Sequence, residues 1–152
     1  MPETAVTSLF KVRVFEPEDM PFVTATFLRG LYYGFKDKHN HSDSFFGLVP
    51  KDIFMQNYKI ILENLLVHPQ TVVLVACLKS QPDFIVGYSI LSTDLKILHW
   101  VHVKSTERQK GVAKLLVPED VESVSHLSRF GLNLLPKLKK AVFNPFINLQ
   151  RS

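Results

Sequence analysis

Val101-His102-Val103-Lys104-Ser105-Thr106-Glu107-Arg108-Gln109-Lys110-Gly111-Val112-Ala113-Lys114-Leu115-Leu116 is the stretch on which the reading of this chain turns. An apolar run containing Ile97, Leu98, Trp100, Val101 and Val103 stops at a polar turn, and a glycine then opens a helical pattern. The first N–H groups of a helix have no partner within it, and the helix dipole adds positive potential at the same end. With Arg108, Lys110 and Lys114 around it, such a start suits a phosphate or pyrophosphate. Gly111 and Ala113 are small enough to let an anion reach the backbone. The pattern differs from the dinucleotide fingerprint Gly-x-Gly-x-x-Gly and from the Walker loop, having one glycine and no Gly-Lys-Ser/Thr. A strand, a basic turn and an amphipathic helix also make a common structural unit in which the glycine serves only the turn, so the rest of the chain has to decide.

The length of 152 residues fits one domain, taken as 1–152, with room for a substantial core. Hydrophobic residues at 46% and charged residues at 21% are ordinary for a soluble globular protein. No apolar run approaches the roughly 20 residues that span a bilayer. Met1-Pro2-Glu3-Thr4-Ala5 lacks the basic start and apolar segment of a signal peptide, and the lone Cys77 permits no internal disulfide. A cytoplasmic location without membrane association is the expectation. The net charge of +4 and the pI near 9.2 suit an anionic partner. Nucleic acid is the weaker choice among such partners, because the chain has no aromatic–basic RNA motif and no clear helix-turn-helix.

Leu9 to Phe15 alternates apolar and basic residues like a half-buried strand, and Glu16-Pro17-Glu18-Asp19 then supplies a helix start. The helix it opens runs towards Gly34. A second helix follows Pro50, with Ile53, Phe54, Tyr58, Ile61, Leu62 and Leu65 at a helical period. Residues 71–79, 84–92 and 96–103 read as an antiparallel meander. The glycine-led helix ends by Pro118, and a strand over 121–127, a helix over 129–140 and a strand over 141–146 complete the series. Pro136 sits awkwardly in that last helix, since it removes a hydrogen bond. The expected class is therefore α/β (α+β), in the order β-α-α-β-β-β-α-β-α-β.

That order, together with Arg108-x-x-Gly111-x-Ala113 five residues beyond Val103 and the first strand running into Glu16-Pro17-Glu18-Asp19, resembles the GNAT N-acetyltransferase superfamily along nearly the whole chain. The resemblance implies a twisted, mixed but mostly antiparallel sheet of about six strands flanked by helices. Only about six residues follow Phe146, too few for the family's usual seventh strand, so the resemblance implies a compact member with a short C-terminus. An exposed sheet edge, or a homodimer formed across it, is expected. Compact basic proteins of this type also occur in bacteriophage genomes.

The resemblance further implies acetyl-CoA as co-substrate, with no metal, and direct transfer of its acetyl group to an amine on a small molecule or protein. The pyrophosphate would lie on Arg108, Gln109, Lys110, Gly111, Val112, Ala113 and Lys114, and the pantetheine arm along the backbone of Val101 and Val103. Alternation places Ile97, His99, Val101 and Val103 on one strand face. Ile97 stands where some members have a glutamate base, whereas His99 matches a histidine of the aralkylamine acetyltransferases. A neutral imidazole is a sensible base or member of a water chain, although a strand histidine can equally be a satisfied structural residue. The family's tyrosine acid has no counterpart, since no tyrosine follows Tyr88. Ser128 is the nearest hydroxyl donor, with helix capping as its competing role. Arg29, Tyr32 and Tyr33 lie where the family binds its amine. His39-x-His41 lacks a third ligand for a metal site. A catalytically silent GNAT-fold binding or assembly module is the alternative reading, favoured by the missing tyrosine.

Overall fold

The computed structural model describes residues 9–33, 49–107, 111–127, 133–138 and 140–147. Six strands lie side by side in chain order: β1 (Phe10–Val14), β2 (Thr71–Leu78), β3 (Ile85–Ser92), β4 (Ile97–Val103), β5 (Ser123–Val124) and β6 (Val142–Phe143). The first four pair antiparallel, and β5 and β6 add in parallel. Helices α1 (Met20–Tyr33) and α2 (Lys51–Val67) lie on one side of this open sheet. The short α3 (Val112–Leu116) and the segment around Leu138 cover the other.

Each element follows from its residues. In β1 Phe10 is buried and Lys11 lies in solvent, but the expected alternation does not hold further along, since Val12 and Val14 are exposed on this edge strand. The chain then turns through a 3-10 turn at Pro17–Asp19. Asp19 takes both guanidinium nitrogens of Arg13, at 2.7 and 2.9 Å, and accepts the Glu16 amide at 2.8 Å. This bidentate pairing fixes the angle at which α1 leaves the first strand. It also holds the Asp19 carboxyl below its ordinary value, chiefly through the Arg13 hydrogen bond. Strand β3 is buried along its whole length, as expected of a central strand with cover on both faces.

Two layers of core result. Val23, Phe27, Leu31, Phe54 and Leu62 pack on Val73, Val75, Tyr88, Ile90 and Trp100. Leu98, Val101 and Val103 turn instead towards Val112, Leu116 and Val124. Contact is close enough to require glycine twice. A Cβ on Gly30 would lie 2.9 Å from Cζ2 of Trp100, and one on Gly87 only 2.6 Å from the His102 carbonyl.

The expected elements are present, with shorter ends. The strands expected over 121–127 and 141–146 shrink to two residues each. Of the helix expected over 129–140, residues 128–132 and 139 lie outside the described set. The described remainder tightens into a 3-10 turn at Leu135–Lys137, the proline having no N–H to continue an α-helix. Val142 and Phe143 form an exposed sheet edge. No helix among the described residues is long and apolar enough to cross a membrane.

Candidate active site

The pairing of β3 with β4 steps from Ile90–Trp100 to Leu91–Leu98, which leaves His99 as an extra residue on β4. Such a bulge breaks strict alternation. His99 accordingly does not share a face with Val101 and Val103, as simple parity requires. It turns towards α1 and α2, while Leu98, Val101 and Val103 face α3. The pairing of β4 with β5 covers only Ile97–Ser123 and Leu98–Val124, and one last amide, from Ser125, reaches the Leu98 carbonyl at 3.0 Å.

Beside the last β4–β5 pair lies a cavity of about 260 Å³ lined by α2, Phe27 of α1, His99 of β4 and His126 beyond β5. Its wall is largely apolar, with Tyr58, Ile61, Leu62 and Leu65 on α2, and His99 and His126 stand on the sheet side. A side-chain chain runs along that side. His99 Nδ1 hydrogen-bonds Ser125 Oγ at 2.7 Å, Ser125 Oγ hydrogen-bonds His126 Nδ1 at 2.9 Å, and His126 Nε2 hydrogen-bonds Tyr58 Oη at 2.8 Å. His99 and Ser125 are almost wholly buried. The His126 ring meets Phe27 and Tyr58 edge-on, with centroids 5.8 and 6.2 Å away. Burial there pushes the His126 pKa down to about 4, because a charged imidazolium would lose its hydration. Burial also raises the Tyr58 phenol to about 12. Near neutral pH both are uncharged, and they can pass a proton only by exchanging it along their hydrogen bonds.

The other residues singled out from sequence fall elsewhere. Tyr32 is in the core and donates to the Val49 carbonyl at 2.7 Å, Tyr33 lies under Lys51 Nζ at 5.4 Å from its centroid, and Arg29 is exposed. None of the three lines the cavity. His102 is half-buried against Phe22 and Tyr88. Gly111 caps α3 in the left-handed region, at φ 83°, so it is needed for its backbone angle as well as its size. Val112 is buried and could offer an anion only its amide, while Lys114 is exposed. Arg108, Gln109, Lys110, Ser128, His39 and His41 lie outside the described residues. Tyr58, Ser125 and His126 are functional candidates that the sequence pattern does not reveal. Tyr58 looks like one more member of an apolar helix stripe, and Ser125-His126 like the end of a minor strand.

Among solved structures, a candidate acetyl transferase from Pyrococcus furiosus aligns with 93% of this chain and 89% of its own, at 12% identity and a TM-score of 0.53. The chain has the GNAT fold. Its overlaps with other structures are looser. AAC(6')-Iy, in complex with a bisubstrate CoA analog, covers 93% of this chain and 84% of its own at 15% identity and a TM-score of 0.46. Apo YjaB from Escherichia coli covers 71% at 16% identity and a TM-score of 0.44, and this GNAT-fold chain spans only 61% of its length. No protein-family model and no curated protein matches the chain by sequence.

Proposed function

We propose that the protein is an acetyl-CoA-dependent N-acetyltransferase that acts on a small primary amine carried by an apolar body. The observation that carries this reading is the position of His99. It is bulged out of β4 one residue past the last β4–β5 pair, and it faces a cavity large enough for a small acceptor. An amine must be neutral to attack the thioester carbonyl, and an imidazole held by Ser125 is a base of fixed direction. Acetyl-CoA would bring its thioester to the end of the β4–β5 pairing, with the pantetheine along the β4 backbone at Val101 and Val103. Its pyrophosphate would rest at Gly111 to Ala113, with charge supplied by Arg108, Lys110 and Lys114. Because α3 is only five residues long, its dipole is small and those side chains carry most of the attraction. The apolar wall of Phe27, Ile61, Leu62 and Leu65 favours an acceptor with an aliphatic or aromatic body. Attack forms the C–N bond and breaks the C–S bond. The thiolate leaves readily, since a thiol pKa is roughly 8.5, which makes a dedicated tyrosine acid unnecessary.

The test combines binding and turnover. Acetyl-CoA should raise thermal stability, by about 2.7 kcal/mol at a hundredfold excess over Kd. Apolar primary amines should be acetylated. His99→Gln should lower kcat by roughly 10²- to 10⁴-fold and remove the acid limb of the pH–rate profile, with acetyl-CoA affinity unchanged. Absence of both stabilisation and turnover would leave the silent binding module as the correct reading.

A further inference from the structure

We propose that Ser125, His126 and Tyr58 form a proton-relay wire that discharges His99 during the transfer, and that the same wire sets the tautomer in which His99 can act as a base. The inference rests on the acetyltransferase reading and deepens it. Four groups on three separate elements (β4, the end of β5 and α2) are joined by three consecutive hydrogen bonds of 2.7, 2.9 and 2.8 Å. Every inner member can both give and take a proton, since a neutral imidazole has one donor and one acceptor nitrogen and a hydroxyl can do both. Such a chain has two self-consistent orientations. In one, His99 Nδ1–H donates to Ser125, Ser125 to His126 Nδ1, and His126 Nε2–H to Tyr58, so His99 Nε2 is basic. In the other every bond is reversed, and Nε2 carries the proton. One orientation converts to the other by moving a single proton per bond, without building charge on the buried His126.

The proton count defines what such a wire carries during the transfer. An amine that binds as ammonium loses one proton before it can attack, and its nitrogen loses a second as the amide forms. The second accompanies the departing thiolate to give CoA thiol. The first is surplus and has to reach solvent from a largely apolar cavity. His99 Nε2 takes it, Nδ1–H passes to Ser125, the Ser125 proton to His126 Nδ1, and His126 Nε2–H to Tyr58. The phenol proton then goes to water, Tyr58 being only partly buried. After product leaves, the hops run backwards. Water returns a proton at Tyr58, and His99 Nε2 gives one to the water that refills the cavity, which restores the first orientation. Over a full turnover the wire keeps His99 uncharged during the transfer, and the surplus proton leaves with the refilling water. Because Tyr58 stacks on Phe54 at 5.3 Å, the hydroxyl is held in line by the packing of its ring.

Tyr58→Phe keeps the ring and removes the last oxygen, and Ser125→Ala cuts the middle. Both should lower kcat by tenfold or more with the KM for acetyl-CoA unchanged. The proton inventory of kcat in mixed light and heavy water should be curved in the wild type and linear in either variant. A second readout needs no substrate. Nitrogen-15 spectra of the histidine rings should show that Tyr58→Phe shifts the tautomer populations of His126 and His99 together, whereas in Ser125→Ala the two rings respond independently. An active wild type whose kcat and inventory are unaltered by Tyr58→Phe, or a His99 ring indifferent to that substitution, overturns the wire while leaving the acetyltransferase standing. A wild type that acetylates no amine overturns both.

Discussion

Replacing His126 by glutamine should flatten the acid side of the stability profile. The folded protein holds this imidazole at a pKa of about 4, against 6.5 in an unfolded chain, because it is buried against Phe27 and Tyr58. Since the folded value lies below the unfolded one, the group has no effect at neutral pH and above. As pH falls through 6.5, the unfolded chain takes up a proton that the folded protein refuses, and unfolding is favoured. Each pH unit in that window costs about 1.4 kcal/mol, and the loss levels off near pH 4. Between about pH 7.5 and pH 5 the wild type should therefore lose about 2 kcal/mol that His126→Gln does not lose. Asp19 does not confuse the comparison, because its depressed carboxyl gives up its stabilising contribution only at lower pH, and in both proteins. The assay is urea denaturation followed by fluorescence of Trp100, at several pH values, for both proteins. The absolute stability of His126→Gln will be lower, since the amide cannot reproduce both hydrogen bonds, but only the difference in slope matters. Parallel profiles, within about 0.5 kcal/mol across the window, would refute the claim that His126 is kept neutral by burial, and with it the argument that it passes protons without holding one.

Gly111→Ala should cost about 1 kcal/mol in urea unfolding, because it places a Cβ on a residue at φ 83°. Gly111→Asn should cost less, as asparagine tolerates that region. Gly87→Ala should be worse, at about 2–3 kcal/mol, because its Cβ would meet the His102 carbonyl at 2.6 Å and push β3 from β4. A thermal midpoint within a degree or two of the wild type would show that the strands can part there without cost.

The frame of the molecule was legible because its signals are local. The β-branched valines of β1, the proline and acids of Glu16 to Asp19, the apolar period of α2 and the single glycine before α3 each act within one turn or one strand, although the burial expected from alternation in β1 fails at Val12 and Val14. The ends were less legible, since a two-residue strand such as Val142–Phe143 is held by its neighbour and leaves no pattern of its own. His99 could be picked out as a candidate base, but its direction could not. The bulge inserts one residue between Leu98 and Trp100, both apolar and both buried, so hydropathy on either side is unchanged. Tyr58 and His126 are 68 positions apart and meet only through tertiary packing. The signal that could have raised His126 is its position two residues past the strand that pairs with β4, where a buried imidazole would adjoin His99.

The one extra residue in β4 links the fold to the proposed chemistry. Without it, Leu98 and Trp100 would share a face, and the run 97–103 would alternate across a regular strand with His99 beside Val101. With it, Leu98 joins Val101 and Val103 on the α3 side, and His99 turns with Trp100 towards α1 and α2. The ladder to β5 ends one residue before His99, and the next link is the side-chain bond from Ser125 to His99. A backbone ladder there would fill the space that a thioester needs. A side-chain bridge holds the histidine in place of that ladder. Removing residue 99 outright, rather than substituting it, would restore the alternation and bring β4 and β5 back into register. Such a deletion should fold and yet lose acetyl-CoA affinity as well as turnover, whereas His99→Gln loses turnover alone. If the two proteins bind acetyl-CoA equally well, the bulge serves only to aim the histidine, and the end of the β4–β5 ladder has another cause.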